Sequence, residues 1–522
     1  MDDARQNARD IIEKGWFLLL TMARTWSTVG SSGNGARGHG SLITAARAVA
    51  VIYGASMFMS IMDSQIVNVA LPTLSRDFGV PISSVQWVIV GYLISLAVFI
   101  PASGWIGDRF GTKRTYLAAL LLFTVASGLC AASDSLVELV LARVLQGAGG
   151  GMMVPVGMAM LYRAYPPAQR VNVARLITRV MVLAPATAPI IGGILVTKLS
   201  WHWIFLVNLP VGACVWVFGL FFLTEHRQPR SGRFDLAGLL LGGPGLALLL
   251  YAVSEGPLVG WGSPRVWLAG LAGAAVLAAF VRTELRSQAP ILRLRLLNEH
   301  SLFRRCCLLF ACVSPAFFGS LVLASLYLQQ ARGYSALVSG LTTFTEAVAI
   351  GLFSQVVARL YPQVGPRRLI TGGFTGLAAM ATLFSFVGES TSLWLIRALV
   401  FGIGVSVSFI MLPVQAAAFA QISPAETGHA TAIFNTVQRT AAAVGVAVLS
   451  TVLAVGTHNA VHPPVSAFRA AYLTAAGIAV VGALLASGVR DDQAAATMVR
   501  STRGRSASED SEDSTATVEE LL

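Results

Sequence analysis

The segment Gly104-Trp-Ile-Gly-Asp-Arg-Phe-Gly-Thr-Lys-Arg114 lies between two long apolar stretches, residues 83–104 and 115–133. A run of about 20 apolar residues is long enough to cross the hydrocarbon core of a bilayer as a helix. The glycines permit a tight turn between two such helices, and the charged residues would remain in water. The segment therefore predicts a short loop that joins two membrane-spanning helices.

The composition of the whole chain agrees with a membrane protein. The 522 residues are 55% hydrophobic and 12% charged, with a mean hydropathy of +0.69, whereas soluble domains carry about 25% charged residues. The five cysteines lie in apolar stretches without metal-ligand spacing, so we expect no metal. We also expect no cofactor and no enzymatic activity, because the sequence has neither a phosphate-binding loop nor a recognisable catalytic arrangement.

Apolar stretches separated by short polar loops continue along most of the chain. Helices are expected because every backbone polar group in lipid must be hydrogen-bonded within its own span. We predict an all-α membrane protein with fourteen transmembrane helices, near residues 46–70, 83–104, 115–133, 136–161, 171–197, 201–223, 235–254, 264–281, 303–328, 337–358, 368–387, 392–420, 427–455 and 466–488.

The net charge of +12 comes mainly from arginines that fall in alternate loops. Charge distributed in this way indicates membrane orientation, because basic loops stay on the cytoplasmic side, and we expect no nucleic-acid partner. The sequence thus predicts a multi-pass protein of the cell membrane, surrounded by the lipid bilayer, with both termini in the cytoplasm.

A weak internal repeat is visible at a shift of 254 residues, which places Gly111 on Gly365 and Arg143 on Arg397. Duplicated halves are typical of secondary transporters. We expect five regions: a flexible cytoplasmic extension (1–45), a six-helix bundle (46–223), an inserted helix pair with cytoplasmic loops (224–302), a second six-helix bundle (303–488) and a disordered cytoplasmic tail (489–522).

The loop quoted above resembles the loop motif of the major facilitator superfamily. The resemblance implies a cytoplasmic gate that the acid and the bases of the motif latch, formed by Gly104, Asp108, Arg109, Gly111, Lys113 and Arg114, with facing arginines able to pair with the acid when the two halves close. In the second repeat Pro362 stands where the first has Asp108, so only the first half should carry the complete gate motif.

Residues 62–72, 201–212, 233–238, 327–335 and 428–439 are similar to the fourteen-span drug:proton antiporters of the EmrB/QacA type. The resemblance implies the major facilitator fold, with two six-helix bundles plus two extra central helices, and proton antiport of small amphipathic substrates by a functional monomer. The antiporter motif of the fifth span, with Pro185, Pro189, Gly192 and Gly193, has alanines where that family usually has glycines. A divergent exporter mechanism therefore stays open.

Three ionisable residues lie within predicted spans. Asp63 is the strongest candidate for proton coupling, because a carboxylate inside a span costs about 2.5–3.5 kcal/mol unless it is compensated. Arg143 is a plausible partner for it, and the resemblance also implicates this arginine in proton transfer. Glu346 is a second proton site or a counter-charge for a cationic substrate, and a structural role is the alternative for all three.

Other polar and aromatic residues are candidates for a substrate cavity: Asn68, Gln146, Phe344, Asn435, Gln438 and Arg439. The sequence as a whole favours a proton-coupled exporter of drug-like molecules that works by alternating access. Two alternatives are left open, a dedicated exporter of one metabolite, lipid or siderophore, and a membrane receptor or scaffold that transports nothing.

Overall fold

The computed structural model describes residues 37–80, 82–85, 87–227, 236–287, 290, 292–334, 336–456 and 464–498. Those ranges contain no strand and fourteen helices of 15 residues or more. We label these helices in chain order: α1 (Arg37–Asp77), α2 (Trp87–Phe110), α3 (Thr112–Ala131), α4 (Leu136–Ala164), α5 (Arg170–Lys198), α6 (Asn208–Phe222), α7 (Leu236–Val259), α8 (Pro264–Arg286), α9 (Ser301–Leu326), α10 (Ala336–Val364), α11 (Pro366–Ser385), α12 (Leu393–Ala418), α13 (Thr427–Gly456) and α14 (Val465–Ser487).

Within the described ranges, 11 helices are long and apolar enough to cross a membrane. The prediction of an all-helical membrane protein is confirmed at this level. The three long helices outside that set are α5, which carries Arg175 and Arg179, α7 (Leu236–Val259), and α11, which carries two arginines in its first turn. For these three, the predicted spans stay predictions.

Two predicted boundaries need correction. Helix α1 begins at Arg37, before the expected start at 46, and residues 1–36 lie outside the described part of the chain. The segment 489–498, expected to be disordered, forms the helical turns Asp491–Ala494 and Ala495–Met498. Thr497 is hydrogen-bonded to the Tyr361 hydroxyl at 2.9 Å, so this segment is part of the second half; residues 499–522 lie outside the description.

Glycines allow the helices of each half to approach at backbone distance. A Cβ at Gly147 of α4 would lie 2.5 Å from the carbonyl oxygen of Tyr92 in α2, and one at Gly404 of α12 would lie 2.5 Å from that of Glu346 in α10. Small residues permit such close helix contacts in membranes. Tyr92 and Glu346 are 254 residues apart, which is the shift of the internal repeat, whereas Gly147 and Gly404 are 257 residues apart, so the two contacts join equivalent helices but not equivalent glycines.

A second feature recurs in both halves at the start of the third helix. Gly111 before α3 and Gly365 before α11 have positive φ angles of 99° and 83°, a conformation that favours glycine. In the first half Glu225 accepts hydrogen bonds from the backbone N–H groups of Lys113 and Arg114, and in the second half Asp491 accepts one from Arg367. Carboxylates are stabilised at helix N-termini. In each half, these hydrogen bonds connect the start of the third helix to the chain just after the last helix.

The inserted pair α7–α8 lies against both halves. Leu246 and Leu250 of α7 form an apolar cluster with Ala97 of α2, and Ala443 of α13 packs against it. In the turn after α7, the indole N–H of Trp261 donates to the hydroxyl of Thr451 in α13, at 2.7 Å. The pair thus covers the line along which α2 and α13 meet.

The two halves meet closely at one end of the molecule, which we call the basic end. It is the end formed by the turn between α2 and α3, the segment 163–170, and the residues just before α11 and α13. Here the ring of Tyr162 stacks on Phe419 at 4.2 Å, and Val171 and Ala174 of α5 form one apolar cluster with Val357 of α10. The structure is therefore closed at the basic end.

Candidate functional site

Asp63 is fully buried in the middle of the first half and accepts hydrogen bonds from three side chains. Its Oδ2 accepts from Nη1 of Arg143 at 2.6 Å, and its Oδ1 accepts from Nε2 of Gln146 at 3.0 Å and Nδ2 of Asn208 at 2.7 Å. A carboxylate inside an apolar bundle needs such partners, because its charge has lost the stabilisation by water. The structure brings Asp63 and Arg143 together, as expected from the sequence.

Arg143 is also fully buried and is held by α2 and α4. Its Nε donates to the carbonyl oxygen of Val88 at 3.2 Å, and its Nη1 donates to Oε1 of Gln146 at 2.8 Å. The guanidinium lies over the Tyr92 ring, with 4.2 Å between its carbon and the ring centroid. Gln146 is one helical turn from Arg143, so both reach Asp63 from the same face of α4. Gln146, a candidate cavity residue, therefore belongs to this ion-pair cluster.

Asn208 and Ser127 are members of this cluster that sequence reasoning did not assign to the site. Nδ2 of Asn208 donates to the hydroxyl of Ser127 at 3.1 Å, and that hydroxyl donates to the Phe205 carbonyl at 2.9 Å. The sequence signal that could have identified Asn208 is its position in the stretch 201–212, as a polar residue at the start of a very apolar helix. Two amide side chains and one guanidinium thus fix the orientation of a single carboxylate.

Glu346 lies apart from this cluster, inside the second half. It is 1% exposed, and its Oε1 has no hydrogen-bond partner within the described residues. The nearby Tyr472 hydroxyl of α14 is also buried without one. Arg397, which corresponds to Arg143 in the repeat, donates to Thr342 at 3.4 Å and not to Glu346. The second half therefore holds a buried carboxyl group without the cationic partner found in the first.

The gate motif contributes two residues to the contact between the halves. A Cβ at Gly104 would lie 2.8 Å from the carbonyl oxygen of Gly428, so α2 and the start of α13 touch through their backbones. Asp108, 4% exposed, lies beside Gly428 and accepts from Nη2 of Arg163 at 3.0 Å. Nε of Arg163 donates across the interface to the Pro424 carbonyl at 2.9 Å. These contacts hold the basic end closed.

Two basic residues of the motif, Lys113 and Arg114, have partners other than Asp108. Arg109 is exposed, Nζ of Lys113 donates to the Leu220 carbonyl at 2.7 Å, and Arg114 lies 3.8 Å from Glu225. All of these partners belong to the first half. Arg163, at the end of α4, is the arginine that pairs with Asp108, because the end of α4 lies beside the end of α2.

A charged network next to this contact connects the segment before α9 to the start of α13. Glu426 accepts from Oγ of Ser423 at 2.7 Å and pairs with Arg293 at 3.3 Å and His300 at 3.6 Å. Partial burial would raise the pKa of Glu426, but the Ser423 hydrogen bond and the two basic groups lower it below its usual value. Glu299 also lies here and is paired with the same Arg293.

The remaining candidates are spread along the interface and the helix ends. Asn435 and Gln438 of α13 point to sulfur atoms of the first half, and Arg439 follows them. Gly192 of α5 faces Ile66 of α1 closely, whereas Gly193 has open space around it. Asn68 is exposed, Pro185 and Phe344 are half-buried, and the side chain of Pro189 lies outside the described part.

Comparison with known sequences identifies the family. The profile of the Major Facilitator Superfamily matches residues 53–446 and 306–512. A relative named "Multidrug resistance protein B homolog", from Mycobacterium tuberculosis, is 33% identical over 400 residues, which are 76% of this chain and 74% of that protein. "Multidrug resistance protein Stp" from the same organism is 32% identical over 415 residues, 78% of this chain and 76% of the relative.

Solved structures show the same fold at low sequence identity. The human organic anion transporter MFSD10 (TETRAN) superposes with a TM-score of 0.61 at 17% identity, covering 84% of this chain and 99% of that one. The proton:xylose symporter XylE superposes with a TM-score of 0.60 at 14% identity, covering 84% and 94%. Sequence and fold agree, and this multi-pass membrane protein belongs to the major facilitator superfamily of transporters.

Proposed function

We propose that this protein is a proton-coupled exporter of small amphipathic molecules, of the drug:proton antiporter type. The observation that carries the proposal is the fully buried Asp63, held by Arg143, Gln146 and Asn208 at the centre of the first half. The relatives named as multidrug resistance proteins support the substrate class. No cofactor is needed in this scheme, since the proton gradient drives transport, and we take the functional unit to be a monomer.

Proton uptake by Asp63 would change more than one group. Neutralising the carboxyl would leave the guanidinium of Arg143 buried without a counter-charge, which is costly inside a bilayer. The cluster therefore favours a rearrangement of α1, α4 and α6 when the proton arrives, and the return when it leaves. Such a dependence of helix packing on one proton is what an alternating-access exporter needs.

The proposed orientation puts the basic end in the cytoplasm, because arginine-rich loops resist translocation. The closed contact at Asp108 and Arg163 then represents an outward-facing or occluded state. In the same scheme α5, α7 and α11 also cross the bilayer, which gives fourteen spans. Helix α5 supports this: Arg170 at its start bonds to Ile422 at the basic end, and 29 residues of helix extend about 43 Å.

The energy available is sufficient for export. At a membrane potential of about 150 mV, one inward proton releases about 3.5 kcal/mol, equivalent to a gradient of roughly a few hundredfold for a neutral substrate.

The test is transport by the purified full chain in liposomes with an imposed pH gradient and a panel of amphipathic compounds. The wild type should accumulate substrate against its gradient. Asp63→Asn should lose this accumulation but keep substrate exchange without a proton gradient, because exchange needs no proton. Asp134→Asn removes an exposed carboxylate in the turn before α4 and serves as the matched control, with unchanged transport.

Two outcomes would contradict the proposal. Undiminished proton-driven accumulation in Asp63→Asn would show that this carboxyl group does not couple transport. Binding by the wild type without flux under any gradient would instead favour a receptor.

A further inference from the structure

We infer that the crevice between the two halves binds amphipathic anions, and that Arg439 recognises their negative group. Such molecules combine an apolar body with a carboxylate, sulfonate or phosphate. The inference rests on the proposed export function and names its substrate class. It is carried by the position of Arg439, by the location of the buried acids elsewhere, by an unpartnered hydroxyl group in the surroundings of the arginine, and by further arginines in α5 and α10.

Arg439 lies near the middle of α13, on the part of that helix that faces the first half. One turn before it, Nδ2 of Asn435 lies 3.2 Å from Sδ of Met158 in α4. The adjacent Gln438 places its Nε2 3.6 Å from Sδ of Met181 in α5. Arg439 therefore reaches into the interface between the halves at the depth of the bilayer centre.

Within the described residues, no carboxylate forms an ion pair with Arg439. Asp63 is already bound by Arg143 and two amides. Glu346 is enclosed in the second half, with its backbone against Gly404 of α12. A cation at membrane depth without a counter-charge is costly, so a bound anion would stabilise the protein at this position.

The surroundings of Arg439 supply a hydrogen-bond donor and an adaptable apolar wall. The hydroxyl of Tyr53, a side chain only 2% exposed, has no hydrogen-bond partner in the described part of the chain. Tyr92 and Tyr53 of the first half are within electrostatic range of Arg439, so the Tyr53 hydroxyl is a candidate second donor to an anionic group bound by the arginine. The thioethers of Met158 and Met181 adapt to apolar groups of different shape, which suits the body of such a molecule.

Three more arginines lie between Arg439 and the basic end. Arg175 of α5 lies within electrostatic range of Arg179 on the same helix and of Arg359 on α10. Among the described residues, no carboxylate forms an ion pair with any of these three arginines. Arg175 and Arg179 are half-buried and Arg359 is exposed. Cations grouped at the edge of a crevice create a positive potential that concentrates anions.

An anionic substrate would also make better use of the membrane potential. Outward movement of a monovalent anion together with inward movement of one proton carries two positive charges inward. Each charge corresponds to about a fifty-fold concentration ratio per 100 mV. Exchange of a neutral molecule for a proton moves only one charge, so it gains only one such concentration factor.

The test compares two probes with the same aromatic body, dansylate, which is anionic, and dansylamide, which is neutral. Equilibrium binding of both is measured on the purified full chain for the wild type, Arg439→Gln, Arg439→Lys and Arg469→Gln. Arg469 is an exposed arginine of α14 and provides the matched control. Loss of a charged hydrogen-bond donor weakens binding by about 10- to 100-fold.

We expect the wild type to prefer dansylate. Arg439→Gln should weaken dansylate binding at least about tenfold and change dansylamide binding less than about twofold, whereas Arg439→Lys should retain the preference and Arg469→Gln should match the wild type. A wild type without preference, or an equal change for both probes in Arg439→Gln, overturns the inference. If Arg439→Gln does not fold, the wild type and Arg439→Lys decide, since both must prefer the anion.

Flux in liposomes separates this inference from the proposed function. Proton-driven export of dansylamide but not of dansylate would contradict the anion site and leave the exporter intact. Absence of proton-driven flux for every probe would contradict the exporter, while the binding preference would still decide whether Arg439 forms an anion site.

Discussion

Replacing Asp63 by asparagine should destabilise the protein as well as uncouple it. The carboxylate accepts from Arg143 through Oδ2 and from Gln146 and Asn208 through Oδ1. An asparagine has only one acceptor oxygen, so at least one of these donors would face an N–H group. Arg143, fully buried, would keep its charge and lose its carboxylate. Removing one partner of a buried ion pair costs about 3–5 kcal/mol, and we expect that loss in the free energy of unfolding.

The double variant Asp63→Asn/Arg143→Gln tests whether the loss of stability comes from the unpaired charge of Arg143 or from lost packing. It removes the unpaired cation, so it should recover most of the stability that the single variant loses. Unfolding by detergent titration in mixed micelles measures both, and the pH-gradient transport assay should find both uncoupled. A single variant within about 1 kcal/mol of the wild type, or a double variant less stable than the single one, would refute the view of an ionised pair.

Three further changes test other parts of the structure. Asp108→Asn should open the basic end, because it removes the ion pair to Arg163. Distances between spin labels at exposed positions of α2 and α10, measured by electron-spin resonance, should then lengthen. Unchanged distances would contradict this role of Asp108. Glu346→Met should stabilise the protein by about 1–3 kcal/mol, since it removes a buried oxygen without a partner, and a loss of stability in the same detergent titration would show that the carboxyl group has a partner. Glu426→Gln should cost at most about 1 kcal/mol above about pH 4.3. Because the folded protein lowers the pKa of Glu426, that difference should vanish as the pH falls and the side chain is protonated, and a pH-independent difference in thermal unfolding would refute this.

The sequence was informative where a charge interrupted an apolar stretch. Asp63 and Arg143 stood out because ionisable side chains inside spans are rare and need a partner. Asn208 and Ser127 complete the same cluster but did not stand out, since neutral polar residues occur throughout the apolar helices. Their role depends on which helices lie side by side, and a single sequence does not state this.

Two features of the basic end depend on nonlocal contacts. The sequence indicated that an arginine could pair with Asp108 but not which one, and Arg163 does so because the end of α4 lies beside the end of α2. The polar composition after 488 predicted disorder. Asp491 nevertheless binds the start of α11, and Thr497 bonds to Tyr361, so two nonlocal contacts order a segment of unfavourable composition.

The inserted pair has a consequence for molecules dissolved in the membrane. Since α7 touches both α2 and α13, it shuts one flank of the protein against sideways diffusion from the lipid. On the other flank, α5 meets α10 directly, and arginines stand near its cytoplasmic rim in the proposed orientation. An amphipath held in the inner leaflet would then be drawn in from one direction only, and the neighbouring lipid headgroups on that flank would compete with it.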